Sequence, residues 1–375
     1  MSGSTTDARP LAITANDELL DDLVRLAAAS GAVLDVSADA TASRRSWTVA
    51  PLVLVGSDLV GDLARASPPR RRDVIVVSQS IDEQALWEGA VELGAEHVVQ
   101  LPHAEQWLAT RIADALDGAS REAVTVGVVG GRGGAGASTL AAALAVTGVR
   151  QGCAGFLVDG DPLGGGIELV LGGEDCVGMR WPDFAATEGR VSAGALRSAL
   201  PNVDELVVLS WDRSDLLDIP LTAMRAVLGA ARRGSDLVVV DLPRHLDEAT
   251  AEALSQCATV LLVVPGEVRS VASAARVARL VAPVVSDLRV VVRGPSPAGL
   301  DGRVVADALG LRLAGELSAE PGLDLMLERG EAPARRGRGP LADLCRAVLA
   351  DLHVASTPRS RGGRARGGRQ SGTAA

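Results

Sequence analysis

The chain has 375 residues, of which 47% are apolar and 22% charged, and its formal net charge at pH 7 is −10. This length and balance are typical of a globular protein with two domains, and the acidic charge argues against a surface that coats nucleic acid. No run of about 18 apolar residues lacks a charge or a glycine, and residues 1–10 are polar, so we expect a cytoplasmic protein with a disordered start, no secretory signal and no transmembrane segment.

Five short apolar runs alternate with helical segments in the first part of the chain, which predicts a parallel α/β sheet over residues 11–118. The helix from Asp17 begins with an acidic first turn and ends at Gly31. Its predicted apolar face comprises Leu19, Leu20, Leu23, Leu26 and Ala27. A helix over about residues 104–116 closes the domain, and residues 119–123 form a linker. The strands are predicted at residues 11–14, 32–36, 51–56, 73–78 and 97–101.

The order of these elements and the segment GAEHVVQLP resemble a response-regulator receiver domain, in which a lysine precedes that proline. Leu101 stands in the place of the lysine. Val55 or Gly56 stands where the phosphate-accepting aspartate belongs, since Asp58 comes too late in the sequence. The acidic pair after the first strand is reduced to Asn16 and Asp17, of which only Asp17 is acidic. Because phosphoryl transfer needs all of these groups, we interpret the segment as a flavodoxin-like pseudo-receiver domain that serves as a docking module.

A glycine-dense loop begins the second part of the chain, within the sequence VTVGVVGGRGGAGASTLAAALAVTGVR (124–150). It lies between an apolar strand and an alanine-rich helix, which is the context of a P-loop. Glycines let consecutive backbone N–H groups turn toward phosphate oxygens, and the positive end of the helix adds to that attraction. The glycines that would form this site are Gly130, Gly131, Gly133, Gly134 and Gly136. Surface linkers can look similar, so the interpretation depends on the segments that follow.

Aspartates end two apolar strands further along the chain. Segment 155–172 contains a strand that ends in Asp159 and Asp161, and segment 235–247 contains a strand that ends in Asp241. Such aspartates can simply end a strand and cap a turn. Their position downstream of a P-loop favours a role in the site instead.

Together these segments resemble the ParA/MinD family of deviant Walker ATPases, whose loop reads KGGxGKT/S, over residues 124–317. The resemblance implies a doubly wound, mostly parallel P-loop NTPase domain at residues 124–355, a homodimer, and ATP or ADP with Mg²⁺ as ligand. Asp161 matches the catalytic switch aspartate that holds attacking water, while Ser138 and Asp241 match the residues that bind the metal. Pro265 lies where the family turns toward the adenine. The matched nucleotide-binding positions are Gly131, Arg132, Gly133, Gly134, Ala135, Gly136, Ala137, Ser138 and Thr139.

The chain departs from this family because all 37 of its basic residues are arginines and it contains no lysine. The family's signature lysine, which reaches the partner's nucleotide in the dimer, falls at Arg132, and the P-loop lysine falls at Ala137. Alanine offers the phosphates neither charge nor donor, so we expect hydrolysis to be slowed by about 10²-fold or more. Nucleotide binding supported by Arg132 and an empty structural P-loop are both open.

Two features could belong to the core or to a binding surface. Residues 340–355 form an amphipathic segment, which could lie on a membrane. Asp343 and Asp351 stand on its polar face where a membrane helix carries basic residues, so we expect it to pack as the last helix of the domain. Trp181 and Trp211 are predicted to fill the core rather than to form a partner-binding surface. The apolar stripe of the segment comprises Leu341, Leu344, Cys345, Val348, Leu349 and Leu352.

The chain ends in a basic tail, residues 356–375, with five arginines and no acidic residue among glycine and serine. This composition predicts disorder. The tail could make weak contact with anionic lipid or nucleic acid, or it could only solubilise the chain.

A receiver-like domain followed by a ParA/MinD-like domain resembles the actinobacterial septum site-determining (Ssd) group and the wider CpaE/TadZ-like group. The first resemblance implies a regulator of cell division and septum placement. The second implies a localisation factor or scaffold for Tad-type pilus or secretion assembly, so the partners would be division proteins or pilus and secretion proteins. Either role places the protein in the cytoplasm or peripherally at the inner face of the membrane, at a septum or pole. An active ATPase that moves cargo is a third hypothesis.

Overall fold

The fold is described from a computed structural model over residues 9–40, 42–80, 84–116, 123–187, 189–212, 214, 217–296 and 299–354. The side chains of residues 45, 84 and 116 lie outside this description. The predicted disordered start, the linker and the basic tail also lie outside it, apart from Arg9, Pro10 and Ala123.

The first sheet is parallel throughout and comprises β1 (Leu11–Ile13), β2 (Asp35–Ser37), β3 (Val53–Gly56), β4 (Val74–Ser78) and β5 (His97–Gln100). Its strand order is β2-β1-β3-β4-β5. Helices cover both faces, as a parallel sheet with buried strands requires. They are α1 (Asp17–Ala29), α2 (Arg44–Val49), α3 (Val60–Arg65), α4 (Gln84–Leu93) and α5 (Glu105–Leu116). The helices α1 and α5 pack on one face and α2, α3 and α4 on the other.

Helix α1 begins at Asp17 as predicted, and the side chain of Asn16 caps it by accepting a hydrogen bond from the backbone N–H of Leu19 at 3.1 Å. The predicted face is buried except for Leu20, which is half-buried at its edge. The predicted strand at 32–36 is displaced toward the C-terminus and shortened to three residues. It is an edge strand whose residues stay largely exposed, so little burial fixes its position.

The second sheet comprises β6 (Val124–Gly130), β7 (Gly155–Asp159), β8 (Asn202–Val203), β9 (Leu206–Leu209), β10 (Leu237–Leu242), β11 (Thr259–Pro265), β12 (Leu288–Arg293) and β13 (Arg312–Leu317). Its strand order is β13-β12-β11-β6-β10-β7-β9-β8. Every pair is parallel except β8 with β9, which is antiparallel. Because β6 and β10 are neighbours near the centre, the loops that follow them meet at one edge of the sheet.

Ten helices in the described residues surround this sheet. They are α6 (Ala137–Arg150), α7 (Ile167–Leu171), α8 (Trp181–Phe184), α9 (Ala193–Ala199), α10 (Leu221–Arg233), α11 (Glu248–Ser255), α12 (Val268–Val281), α13 (Gly302–Leu309), α14 (Leu323–Glu328) and α15 (Pro340–Asp351). Helix α6 is buried along most of its length, since it contacts the sheet on one side and α15 on the other. Its alanines keep the side chains small enough for both contacts.

Helix α15 packs into the core, as the acidic residues on its polar face predict. Leu341, Leu344, Cys345, Val348 and Leu349 are all buried against α6 and the sheet. Among the described residues, no helix is both long and apolar enough to cross a membrane. The apolar stripe of α15 is therefore occupied by the protein itself.

Helix α5 of the first part of the chain contacts two arginines of the second part. Asp114 of α5 accepts a hydrogen bond from Nη1 of Arg190 at 2.6 Å, and it lies 3.3 Å from Nε of Arg233 at the end of α10. Arg190 also donates to the backbone oxygen of Thr110 at 3.1 Å. The side chains of Asp114, Arg190 and Arg233 are each less than a quarter exposed, so these ion pairs are better shielded from water than pairs on the surface.

The packing of α15 can be tested at Leu349, which is 1% exposed. Leu349→Ala leaves a cavity between α15 and α6, so we expect the free energy of unfolding to fall by about 2–5 kcal/mol in urea denaturation. Ala347→Ser on the exposed face of the same helix is the matched control, with a change within about 0.5 kcal/mol. Equal stability of both variants would show that α15 does not pack as described.

Candidate functional site

The loop between β6 and α6, residues 131–136, is shaped by glycines. Gly134 has φ 67° and Gly136 has φ 98°, a left-handed conformation that favours glycine. A Cβ atom on Gly131 would lie 2.7 Å from the Cβ of Ala274 on α12, and the backbone N–H of Gly131 donates to the oxygen of Val263 at 2.8 Å. The loop is thus held between β11 and α12, with Gly136 as the N-cap of α6. Its position at the positive end of this helix suits an anion.

The nine predicted nucleotide-binding positions are consecutive in this loop and the first turn of α6. Gly131 and Ala135 face the interior, whereas the other seven positions are exposed or half-buried. Ala137 is the first residue of α6 and brings no charge to the loop. The glycine backbone of the predicted loop is therefore present, while position 137, where the family has its P-loop lysine, carries no charge.

Asp241 is a buried carboxyl group beside this loop. It lies on β10 between Val128 of β6 and Asp159 of β7, and it is 3% exposed. Burial, with a smaller contribution from the negative charges of Asp159 and Asp161, raises the pKa of Asp241 to about 8. A side-chain hydrogen bond with Ser138 acts in the opposite direction. At neutral pH the carboxyl group of Asp241 therefore mostly retains its proton.

Asp159 holds the switch loop, residues 160–166, to the end of β7. Its carboxylate accepts hydrogen bonds from the backbone N–H of Ile167 at 2.9 Å and from the hydroxyl of Ser210 at 3.1 Å. Burial raises the pKa of Asp159 to about 6, although these hydrogen bonds favour its ionised form. The residue is 1% exposed, so its part in the site is structural support for the loop.

Asp161, the predicted catalytic aspartate, lies on this switch loop and is half-buried. Its Oδ1 accepts a hydrogen bond from the backbone N–H of Leu163 at 3.1 Å, which closes a tight turn. The negative charge of Asp161 contributes to the raised pKa of Asp241. The backbone N–H of the neighbouring Gly160 donates a hydrogen bond to the backbone oxygen of Asp241 at 2.8 Å. The structure therefore brings Asp161, Asp241 and Ser138 together at one edge of the sheet.

This group of residues fits Mg²⁺ bound together with a nucleotide. A hydroxyl and a carboxylate are the oxygen donors that Mg²⁺ prefers, and Mg²⁺ takes its other ligands from phosphates and water. In the described part of the chain, no three His, Cys, Asp or Glu side chains converge as a metal site. Ser138 and Asp241 would therefore hold the metal only in company with phosphate oxygens.

Arg132, at the signature position, is occupied by contacts within the chain. Its Nε donates to the hydroxyl of Ser270 at 2.7 Å, and its Nη2 lies 3.4 Å from a carboxylate oxygen of Glu267. Its Nη1 donates to the backbone oxygen of Gly133 at 3.0 Å. All three guanidinium nitrogens thus have partners at the start of α12 or in the loop itself, which favours a role in holding the loop.

Two arginines that the sequence analysis missed also lie at the loop. Nη1 of Arg293, at the end of β12, is 3.3 Å from the point that a Cβ atom on Gly136 would occupy. Nη2 of Arg244 is 3.7 Å from the corresponding point on Gly133. Arg244 follows Asp241 by three residues, and Arg293 ends a parallel strand two places from β6. Both arginines stand at or just after the end of an apolar strand, and this position could have indicated in the sequence that they lie at the carboxyl edge of the sheet.

A cavity of about 520 Å³ opens beside the switch loop. Its lining includes residues 164–166 of that loop, Trp211 and the acidic pair Glu174 and Asp175. Trp211 is nevertheless buried, with its ring 6.2 Å from that of Trp181, so the prediction that both tryptophans fill the core is confirmed. The indole N–H of Trp181 donates to the backbone oxygen of Asp159 at 2.6 Å, which connects the core to the switch loop.

The receiver-like part has a filled pocket at the end of β3. The carboxylate of Asp58 turns back to accept hydrogen bonds from the hydroxyl of Thr14 at 2.8 Å and the backbone N–H of Ala15 at 2.7 Å. A Cβ atom on Gly56 would overlap with this carboxylate. Leu101 is buried in the core beneath α1 and α5. The position of the phosphate-accepting side chain is therefore taken by an internal hydrogen-bonded group.

The fold and the site define a class of protein. A family model described as the Rv3660c-like, CheY-like N-terminal domain matches residues 13–123. The chain of the MinC:MinD cell division protein complex of Aquifex aeolicus is similar with a TM-score of 0.53 and 23% identity, over 64% of this chain and 100% of that one. A ParA family ATPase from Chlorobium tepidum TLS is similar with a TM-score of 0.55 and 15% identity, over 61% of this chain and 98% of that one. The protein thus joins a CheY-like N-terminal domain to a ParA/MinD P-loop ATPase fold.

Full-length relatives identify the family. The protein Rv3660c of Mycobacterium tuberculosis (strain ATCC 25618 / H37Rv) is 39% identical over 345 residues, which span 91% of this chain and 97% of that protein. The protein MT3760 of strain CDC 1551 / Oshkosh matches to the same extent. The chain belongs to the Rv3660c family.

The raised pKa of Asp241 predicts how the stability of the metal-free protein depends on pH. In the unfolded chain this group ionises near 3.8, whereas in the folded protein it keeps its proton up to about pH 8. The folded state therefore binds more protons across this window, and the contribution of Asp241 to stability falls as pH rises from about 4 to about 8. Asp241→Asn cannot ionise, so its stability relative to wild type should be greater at pH 8 than at pH 5 by at least ~1 kcal/mol in urea denaturation.

Asp307→Asn is the matched control, because it removes an exposed carboxylate on α13. We expect its stability difference from wild type to be the same at both pH values. Parallel pH profiles for Asp241→Asn and wild type would contradict the raised pKa.

Proposed function

We propose that the protein is a MinD/ParA-like spatial regulator of septum placement in cell division, and that it acts through nucleotide occupancy and not through rapid turnover. The proposal rests on the glycine loop, in which Gly134 and Gly136 adopt the left-handed conformation. Helix α6, which follows this loop, begins with Ala137 where the family has a lysine. The shared fold supports the division role, since one protein with this fold is solved as a MinC:MinD cell division complex.

The proposed ligand is ATP or ADP with Mg²⁺. A MinD of Pyrococcus horikoshii OT3 that shares the fold, with a TM-score of 0.52 and 18% identity over 61% of this chain and 95% of that one, was solved with Mg-ADP. Here the surface from Gly131 to Thr139 would hold the phosphates, and Ser138 with Asp241 would hold the metal. Bound Mg²⁺ would neutralise charge on the phosphate oxygens. Asp241 has to release its proton to act as a ligand, so metal binding should strengthen toward pH 8.

Slow turnover follows from the positions of the cations. Acceleration of phosphoryl transfer needs groups that stabilise charge developing in the transition state. Ala137 cannot do so, and the guanidinium of Arg132 is engaged with Ser270 and Glu267. Asp161 remains available on the switch loop to orient water, so a slow residual rate would depend on it.

Calorimetric titration with ATP and ADP, with and without Mg²⁺, tests the nucleotide proposal. We expect saturable binding by wild type with phosphate release close to background. Ala137→Lys places a cation on the first residue of α6, and its charge-assisted hydrogen bonds to phosphate should tighten binding about tenfold or more. The matched control, Ala347→Lys, adds the same charge to the exposed face of α15 and should bind like wild type.

Two outcomes would contradict regulation by occupancy. Binding by Ala137→Lys with none by wild type would make the native loop a structural remnant. Rapid phosphate release that disappears in Asp161→Ala would instead show an active ATPase.

The division role predicts a cellular phenotype. Overexpression in an actinobacterial host should give filaments with fewer septa, and Ser138→Ala, which removes the proposed metal ligand, should weaken the effect at equal expression. Normal septation at high expression of wild type would count against this role.

A CpaE/TadZ-like localisation factor for pilus or secretion assembly is the second candidate, because a CheY-like domain precedes the ParA/MinD fold. A pull-down that recovers pilus or secretion components and no division protein would favour it.

A further inference from the structure

We propose that Arg293 and Arg244 replace the missing P-loop lysine as the cations that bind the phosphate chain of the ligand. This inference rests on the proposed function, because it concerns the same site. It assigns the phosphate-binding charge to two residues outside the loop, one at the end of β12 and one after β10.

The guanidinium groups of Arg293 and Arg244 both lie close to the glycine loop. Nη1 of Arg293 lies 3.3 Å and its Cδ 3.8 Å from the point that a Cβ atom on Gly136 would occupy, so the side chain lies along the N-terminus of α6. For Arg244, Nη2 lies 3.7 Å and Cζ 4.0 Å from the point that a Cβ atom on Gly133 would occupy. The two groups therefore approach the loop at the exposed Gly133 and at the half-buried Gly136, next to the first turn of α6.

The second step is that both cations are available. Neither Arg293 nor Arg244 forms an ion pair or side-chain hydrogen bond with any residue in the described ranges. Arg132 differs, because Ser270 and Glu267 already occupy it. Unlike Arg132, Arg293 and Arg244 thus have no charged or hydrogen-bonding side-chain partner in the part of the chain that the structure describes.

The electrostatics of the loop give the third step. The N-terminus of α6 carries partial positive charge, and the two guanidinium groups add to it. Like charges placed together lower stability unless an anion lies among them. A polyphosphate would satisfy both arginines and the backbone N–H groups of the loop at once.

The exchange of lysine for arginine also explains binding without turnover. Arginine stays charged and offers a planar pair of donors to phosphate oxygens. Arg293 reaches the loop from a strand two places away in the sheet, so it is not part of the first turn of α6 from which the lysine acts. A cation that contacts the phosphates equally in the ground state and the transition state tightens binding without raising the rate.

The test is calorimetric titration of the full chain with two probes, inorganic triphosphate and Mg-ATP. Arg293→Gln and Arg244→Gln should each weaken the affinity for both probes about tenfold, and the double variant about 100-fold, because each loses charge-assisted hydrogen bonds. Arg293→Lys keeps the charge and should retain more affinity than Arg293→Gln. The matched control is Arg279→Gln in the last turn of α12, at the opposite end of the sheet, which should bind like wild type.

A second measurement separates a phosphate contact from a general loss of structure. In the Ala137→Lys background the new lysine shares the phosphates, so Arg293→Gln should cost less affinity there than in wild type. Urea midpoints equal to that of wild type would show that the variants fold.

Each result has a distinct meaning. If wild type binds both probes and the arginine variants bind equally well, the inference is overturned while the nucleotide role stands. Binding of triphosphate that depends on Arg293 and Arg244, with no binding of ATP, supports the inference and removes the nucleotide role. If wild type binds neither probe, both are overturned.

Discussion

The pairing register of three central strands is the constraint on which the site depends. Asp241 on β10 is paired with Val128 on β6 and with Asp159 on β7, so the glycine loop, the Asp241 carboxyl group and the switch loop lie side by side. Parallel strands direct their carboxyl ends to one edge, and helix α6 turns its N-terminus to the same edge. The cost is a carboxyl group buried beside two other acidic residues, which raises its pKa to about 8.

Aspartates and arginines both lie at this edge of the sheet, so their charges partly balance one another. Three aspartates lie near the loop, and the cation expected in the loop is absent. Arg132 helps to hold the loop through Glu267 and Ser270, while Arg293 and Arg244 bring positive charge from other elements. Arg293 lies at the half-buried Gly136 and Arg244 at the exposed Gly133. The first residue of α6 is Ala137, which carries no charge.

The same pattern occurs in both parts of the chain. In the CheY-like part, the carboxylate of Asp58 is bound to Thr14 and Ala15 in the space above Gly56, and Leu101 is buried in the core. In the P-loop part, the glycine loop precedes α6, whose first residue is Ala137 where the ParA/MinD pattern has lysine. In both parts a residue that the matching family pattern requires is replaced. The contact of Asp114 with Arg190 and Arg233 joins these two parts.

Much of the fold and part of the site could be predicted from the sequence, because these depend on short-range patterns. Alternating apolar runs predicted the parallel sheets, and the acidic first turn at Asp17 predicted the start of α1. Glycine spacing predicted the loop, and the aspartates at strand ends predicted the edge at which they meet. The edge strand β2 was misplaced because few buried contacts mark its position. The availability of Arg132 was also unpredictable, since its partners lie more than 130 residues away in the chain.

The sequence by itself determined that the chain has two α/β parts, a glycine loop before a helix, and no lysine anywhere, because these are properties of residue order and composition. Only the tertiary structure decided which charges act at the loop. Long-range strand pairing brought Arg293 and Arg244 to Gly136 and Gly133, bound Arg132 to α12, and buried Asp241 deeply enough to hold a proton at neutral pH. Distances between side chains and their exclusion from water arise from packing, and no local pattern in the sequence specifies them.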